Sequence, residues 1–497
     1  MIPTAPQADA IEAPTPATSS PARKADRFAQ GLLLTLLFAV PALMVVYSGC
    51  IQDPDLWWHL RTGQWIVQHH AIPHVDTFSR FSVGKPWEAY SWLYELLVYG
   101  LFSKLGLAGI VIYTAGMLLA ILVALRHLIQ RMQTDFSQVA LLTFAACFSM
   151  SHLFTPRPWL FTILFFVVEL DILMHARRTG RTRELLWLPV IFALWSNLHI
   201  QFIYGLAALG LAAVEALAVR WIPSPRTRLR APWLCEAFVA SALAAMANPF
   251  GWGIYRVVYN LAKEPGGLDK ISELQAIPFR NLPDFCILLL ALGAVAALAW
   301  HRRMQMFEIG LLAFGVYASF RSQRDAWVIV VAAIAVLAST LPGRAGATRL
   351  PSAKTAWLAT AAAAVIMLSG IRIMGMTNAQ LQGKLEKFMP VAAVRHIQAK
   401  GYAGPLYNDF NWGGYLVWSQ RMPVSIDGRG AFYGDQAIDR SVATWGAAPD
   451  WASDPELASA GVVLGPVKSP LIQVLRMDPK FRLVFEDKVA AVFVAQK

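Results

Sequence analysis

The sequence predicts a membrane all-α protein, a bundle of about eleven transmembrane helices followed by a small C-terminal α/β domain. Three observations predict it. Hydrophobic residues make up 56% of the chain and charged residues 15%, with a mean hydropathy of +0.46. Apolar stretches recur near the length needed to cross about 30 Å of hydrocarbon. Beyond residue 377 the charges become mixed, and short β-like runs alternate with helical pieces.

Taken in order, residues 1–27 are rich in Ala, Pro, Thr and Ser and are expected to form a disordered cytoplasmic tail. A membrane domain is expected over 28–376. Its first span, 29–48, lacks a small-residue cleavage site and reads as an uncleaved anchor. Further spans are expected at 106–129, 137–154, 158–175, 184–198, 201–220, 232–248, 283–300, 304–320, 324–341 and 355–374; polar groups from Trp195 to Gln201 interrupt the pair at 184–220.

Arginine and lysine set the orientation. Arg23, Lys24 and Arg27 precede the first span. Alternate connections then carry Arg126 and Arg131; Arg177, Arg178, Arg181 and Arg183; Arg220, Arg226, Arg228 and Arg230; Arg302 and Arg303; and Arg344, Arg349 and Lys354. The formal charge of +12 is therefore mostly a topology signal, and no nucleic-acid partner is expected. An odd number of spans sends the C-terminal domain, 377–497, to the outer, periplasmic side. Cys50, Cys147, Cys235 and Cys286 all lie in or beside apolar spans, which leaves no disulfide framework or zinc spacing.

Two outer loops are long. In the first, 49–105, Leu56 to His69 and Trp87 to Lys104 read as aromatic-rich amphipathic helices lying in the interface plane. The second, 249–282, opens with Asn248-Pro249-Phe250-Gly251-Trp252-Gly253 and holds Glu264, Asp269, Lys270 and Glu273. In the C-terminal domain Val424 to Ile426, Gly461 to Leu464, Phe481 to Phe485 and Ala490 to Val494 read as strands, with helices at Val391 to Lys400 and Pro470 to Met477.

The most distinctive run is Asp53-Pro54-Asp55-Leu56-Trp57-Trp58-His59-Leu60, at the outer end of the first span. Carboxylates at a membrane boundary are costly unless solvated, paired or metal-bound, and so point to function. Either acid also suits an N-cap for the helix starting near Leu56, and the tryptophans suit an interfacial belt. The same side collects Arg157, Asn197, His199, Gln201, Asn248, Glu273, Arg321, Arg324 and Asp325, and the outer domain adds Asn408, Asp409, Asp427 and Arg429. Arg157, between two prolines, is either a rigid anion contact or a span terminator. Asn197-Leu198-His199 breaks a span at its outer edge. Arg321 and Arg324 defy the positive-inside bias, so a phosphate group, Asp325 or lipid headgroups must account for them. Glu273, taken alone, suits a solvated surface.

With Gly63, Ile66, Ile72-Pro73 and Asp76-Thr77-Phe78-Ser79, the opening run resembles bacterial multi-spanning proteins of the GT-C glycosyltransferase superfamily. Pro156-Arg157-Pro158, Trp195-Ser196-Asn197-Leu198-His199, Asn248-Pro249-Phe250-Gly251, Asn411-Trp412-Gly413-Gly414-Tyr415-Leu416 and Ile426-Asp427-Gly428-Arg429 fit the same pattern. The resemblance covers most of the chain beyond the tail. It implies a bacterial inner-membrane enzyme that transfers a sugar from a polyprenyl-phosphate-linked donor to a glycan, lipid or protein acceptor at the outer face. In the superfamily an acidic residue early in the first outer loop acts as base or positions a metal, a place Asp53 and Asp55 hold here.

Such a transfer needs a carboxylate to take the acceptor's hydroxyl proton and donors to stabilise the departing phosphate. The expected catalytic residues are Asp53 or Asp55, with His59 in support. Arg157, Arg321 and Arg324 are the expected phosphate contacts, and Asn197, His199 and Glu273 are expected to line the cavity. No cofactor is certain, and a divalent cation (Mg or Mn) held by Asp53 and Asp55 stays open. The rival classes are a multi-pass transporter or lipid-linked glycan flippase, which would place ionisable groups near mid-membrane, and an assembly scaffold whose outer domain binds a partner.

Overall fold

The computed structural model describes residues 21–219, 228–263, 270–300, 306–342, 348–419 and 422–496. The tail up to residue 20, Arg220, Arg226, Glu264, Asp269, Arg302, Arg303 and Arg344 lie outside the described residues, as do the side chains of Arg23 and Lys24. The helices of the first part are α1 (Pro21–Ser48), α2 (Leu56–His69), α3 (Trp92–Leu105), α4 (Leu107–Met132), α5 (Phe136–Ser149), α6 (Trp159–Thr179), α7 (Trp187–Leu198), α8 (Phe202–Ala218), α9 (Ala231–Ala244), α10 (Gly253–Lys263), α11 (Leu282–Trp300), α12 (Met306–Arg321), α13 (Ala326–Thr340) and α14 (Ala353–Ile373). The helix α1 starts inside the stretch expected to be tail, with Pro21 in its first turn, where a missing N–H costs nothing.

Each of the eleven expected spans contains a helix, and among the described residues six are long and apolar enough to cross a membrane alone: those at 25–48, 107–132, 159–179, 282–300, 323–340 and 353–373. The apolar helices α5, α8 and α9 are shorter. The span expected at 184–198 is a 3-10 turn, Arg183–Leu186, followed by α7. At twelve residues α7 is about 18 Å long, so the polar break at His199 to Gln201 is set into the bundle. Non-helical backbone is tolerated at such depth when protein covers it, and both His199 and Gln201 are buried. At the centre runs α13, apolar on all sides and buried almost throughout. The peripheral α11 and α14 turn most of their apolar surface outward.

The connections expected to face outward gather at one end of the bundle, and the arginine-rich ones at the other. Near that second end Arg177 is fully buried between α6, α8 and α12, its Nε 3.0 Å from Glu215 Oε2 and its Nη1 3.1 Å from Glu308 Oε1, with the Phe307 ring 4.2 Å away. Around it, Arg131 bonds Asp171 and Glu184 at 2.5 and 2.9 Å.

The chain continues through α15 (Asn378–Leu385), α16 (Val391–Lys400), β1 (Leu406–Asn408), α17 (Phe410–Ser419), α18 (Gly430–Tyr433), α19 (Asp435–Trp445), α20 (Pro455–Ala458), β2 (Val462–Pro466), α21 (Pro470–Leu475), β3 (Phe481–Glu486) and β4 (Ala490–Ala495). The four-stranded sheet has the order β1-β2-β4-β3, with β1 parallel to β2 and the other pairs antiparallel. Alternation divides its residues between two cores. Tyr407, Val463 and Phe493 face a small core completed by Trp445, Leu471 and Ile472, while Leu406, Val462, Leu464 and Val492 join the main core. The run expected as a strand at Val424 to Ile426 forms one parallel bridge, Val424 to Ser79. That bridge ties the first long loop to the C-terminal domain, with Arg80 N donating to Val424 O at 2.9 Å.

Removing Arg177 would take from the buried Glu308 and Glu215 the guanidinium that they share, a loss of about 3–5 kcal/mol. Arg177→Met is therefore expected to lower the melting temperature of the detergent-purified protein sharply. An unchanged melting temperature would mean that this ionic group does not hold the bundle.

Candidate functional site

The site is built where α1 gives way to α2. After α1 the chain turns through Gly49 and Cys50, both at positive φ, and Asp53 then folds back so that its Oδ1 accepts the Asp55 backbone N–H at 3.0 Å. Asp55 occupies the N-cap position of α2, yet its side chain makes no capping bond. The carboxylates turn to Arg157 instead. Arg157 Nε donates to Asp53 Oδ2 at 2.6 Å, and Nη1 donates to Asp55 Oδ2. All three side chains are largely buried.

Arg157 is held rigidly. Its N–H bonds Thr155 O at 2.7 Å, its carbonyl accepts from the Tyr113 hydroxyl at 3.2 Å, and the Pro156 carbonyl accepts from the Tyr94 hydroxyl. Its Nη2 reaches Glu273 Oε2 at 3.4 Å. Glu273 sits in the 3-10 turn Ser272–Leu274, which docks on the turn after α12 through Gln323 N to Gln275 O at 2.8 Å. That docking brings Arg324 Nη1 to 3.9 Å from Glu273 Oε1, while the buried Arg324 Nε has no hydrogen-bond partner.

One turn along α2, His59 Nδ1 lies 3.2 Å from Glu95 Oε1 of α3, both side chains buried. Gly63 permits this crossing, because a methyl group there would overlap the Glu95 backbone carbonyl. His199 Nδ1 lies 2.8 Å from the Thr162 hydroxyl, which also accepts from Trp195 Nε1 at 2.8 Å.

Thus Asp53, Asp55, Arg157, Glu273 and Arg324 form one network, with His59 beside it. Asn197 is placed differently: its Oδ1 accepts from Trp92 Nε1 at 2.8 Å and its Nδ2 donates to Ala193 O and Ala247 O, which braces α3 and α7. Arg321 is exposed, with Nη1 3.1 Å from the Tyr317 hydroxyl. Asp325 pairs with Gln201 Nε2 at 2.6 Å and the Tyr204 hydroxyl at 3.0 Å, and among the described residues it makes no direct bond to an arginine side chain.

Sequence reasoning missed Glu95 and Tyr90. Glu95 hides in an apolar helix, and only its i, i+4 neighbour Tyr99 and the facing Gly63 hint at a close crossing. The Tyr90 hydroxyl lies within electrostatic reach of Arg324, Glu95, Asp55 and Arg157.

The other distinctive motifs converge here. Arg429 Nη1 lies 2.7 Å from Asp76 Oδ1 and its Nη2 lies 2.8 Å from Asp427 Oδ2. The rings of Phe78, Trp87, Phe432 and Tyr433 enclose the guanidinium, with centroids 4.6–5.8 Å away. This clamp sets Gly428 directly on Asp55, where a methyl group would overlap Oδ1. Tyr415 packs edge-on against Trp57 at 5.1 Å.

Electrostatics follow from this crowding. Burial pushes Asp55 up to about 7, aided by Asp53 and Glu273 and opposed by Arg157. Burial, with Arg157 and His199 nearby, holds the His59 imidazole well below its usual value, and burial raises Glu95 well above the carboxylate range. Three carboxyls thus face two guanidiniums, and one proton on Asp55 makes the network neutral.

A divalent cation does not fit the acid pair as it stands. One oxygen of each acid is bonded to the same guanidinium, and Asp53 Oδ1 is taken by a backbone N–H. Among the described residues no group of three or more His, Cys, Asp or Glu is placed to hold a metal.

No family profile and no curated protein matches the sequence. Among solved structures, the chain is similar to the crystal structure of ArnT from Cupriavidus metallidurans bound to undecaprenyl phosphate. The two are 13% identical, 92% of this chain and 97% of that one are covered, and the TM-score is 0.47.

Overpacking a closed contact costs about 1–3 kcal/mol, so Gly428→Ala is expected to lower the melting temperature measurably. Gly383→Ala in α15, with open space around it, is the control and should leave it unchanged or slightly raised. Equal behaviour of the two variants would mean that the C-terminal domain does not seat on Asp55.

Proposed function

We propose that this protein is an integral-membrane glycosyltransferase that moves a sugar from a polyprenyl-phosphate-linked donor to an acceptor at the outer face of the bacterial inner membrane. One observation carries the reading: a buried acid pair clamped by Arg157, with the loosely held guanidinium of Arg324 beside it. The sequence resemblance to GT-C enzymes supports it independently. In this orientation the N-terminus is cytoplasmic and the C-terminal domain periplasmic.

The chemistry runs as an inverting displacement. The Asp55 carboxylate takes the acceptor's hydroxyl proton while that oxygen attacks the anomeric carbon. The bond from that carbon to the phosphate oxygen breaks, and its electron pair leaves with the lipid phosphate. Arg324, whose donors are mostly unspent, stabilises the phosphate, and the exposed Arg321 offers a second cation near the bundle mouth. Arg157 orients the two acids, and Asp53 holds the Asp55 backbone in place. The buried His59–Glu95 pair supports the α2–α3 crossing. Glu273 positions Arg324. His199, bonded to Thr162, and Asn197, bonded to Trp92, brace the helices behind the site.

Two outcomes test this. In a strain lacking the gene, the wild-type protein should restore the missing surface or lipid-linked glycan seen by mass spectrometry, and Asp55→Asn should fail to do so while still inserting in the membrane. Full restoration by both Asp53→Asn and Asp55→Asn would refute the assignment. The pH profile gives the second. A base must be ionised, and Asp55 is ionised only above about 7, so transfer should fall as pH drops through about 7. An acid limb near pH 4, where an ordinary carboxylate titrates, would show that the base is not a carboxyl raised by burial.

A further inference from the structure

The segment Ser425 to Gly428 has two sides. Gly428 rests on Asp55, while Ser425 and Ile426 form the back wall of a separate cavity of about 250 Å³ between the turn at 81–85 and the C-terminal domain. Pockets for whole drug-sized ligands run to about 300–1,000 Å³, so this one suits a single small unit. Its walls include Phe81, Lys85, Tyr433, Gln436, Arg440 and Glu456.

Charge narrows what fits. Arg440 pairs with Glu456 and lies 3.6 Å from Asp454, and Lys85 acts on Glu456. Two cations therefore meet two carboxylates. A phosphate site would carry excess positive charge, and a cation site would carry excess acid. Here the balance is even.

The remaining surface is a mixture of donors and acceptors beside an aromatic face. Gln436 is exposed and makes no side-chain hydrogen bond among the described residues. The Phe81 ring is 37% exposed at the cavity wall, with the Arg80 guanidinium 5.8 Å from its centroid. Amide, hydroxyl, carboxylate and guanidinium groups match vicinal hydroxyls, and an aromatic ring matches the C–H face of a pyranose. Tyr433 links the cavity to the site, since its hydroxyl donates to Asp427 Oδ2 at 2.9 Å.

We propose that this pocket is a subsite for a neutral sugar unit of the acceptor, a unit distal to the one that carries the reacting hydroxyl, because the segment 425–428 stands between the pocket and Asp55; the acceptor assignment rests on the glycosyl-transfer reading above. The lining comes from the first loop and the C-terminal domain alone, away from the bundle that would hold a lipid-linked donor.

The test is saturation-transfer NMR on the full-length protein in detergent, with the methyl glycosides of glucose, galactose, mannose and N-acetylglucosamine as probes. At least one should bind. Phe81→Ala and Gln436→Ala, both at exposed positions, should weaken it tenfold or more with an unchanged melting temperature. Asp55→Asn should retain it, and inorganic phosphate should not displace it. Binding by none of the four, binding unaffected in both pocket variants, or displacement by phosphate would overturn the subsite. Retained transfer in both Asp variants would overturn the transfer reading instead, so the two failures are distinguishable.

Discussion

The guanidinium of Arg157 is the interaction on which the rest depends. Two carboxylates one residue apart cannot be buried together without a counter-charge, because the desolvation of each ion costs several kcal/mol. Arg157 supplies that charge to both acids with separate nitrogens, a match that lysine's single ammonium does not offer. Its place is fixed from behind by the Tyr113 and Tyr94 hydroxyls and by prolines on either side. The pairing therefore anchors the first long loop to the start of α6. Everything that later touches Asp55 inherits its position from there.

From that anchor the network extends outward and loosens. Glu273 meets Arg157 at 3.4 Å, and Arg324 meets Glu273 only at 3.9 Å. The tight inner contacts fix geometry, and the loose outer one leaves donors free for an anionic group. Burial first, and then the neighbouring carboxyls of Asp53 and Glu273, push Asp55 up to about 7 against the pull of Arg157. A group that exchanges its proton near neutrality suits proton transfer.

Much of this was legible in the sequence. The helix Leu56–His69, the helix Val391–Lys400 and three strands of the sheet follow from periodicity, and arginine counting places the long loops at one end. The pairing of Arg157 with the acids was not legible. Arg157 could be seen as rigid, but nothing local says what a rigid arginine faces a hundred residues away. Likewise Asn197 reads as a polar break, whereas its amide is spent on Trp92 and two carbonyls. Short helices such as α7 are legible as apolar but not as short, because their ends are set by packing. The strand β1 is only three residues long, too short for alternation to register. The Asp76–Arg429 clamp joins residues far apart in the chain, so only the fold brings it together.

The two ends of the bundle use the same device with different completeness. Near the arginine-rich end, Arg177 lies between Glu215 and Glu308, and no polar atom of that trio lacks a partner. A closed trio of this kind suits cohesion. At the opposite end Arg157 lies between Asp53 and Asp55, but the surroundings are unfinished: Arg324 Nε, Glu95 Oε2 and the indole nitrogens of Trp57 and Trp58 are buried without hydrogen bonds. Each such orphan costs about 1–3 kcal/mol, a burden that stability alone would not favour. The same ionic motif is thus sealed where it only holds helices together and left open where an acid, two arginines and an outer domain meet. Orphaned acceptors occur toward the arginine-rich end as well, at Asp171 and Glu169, so what sets this end apart is narrower: here buried donors without partners stand next to a clamped acid pair.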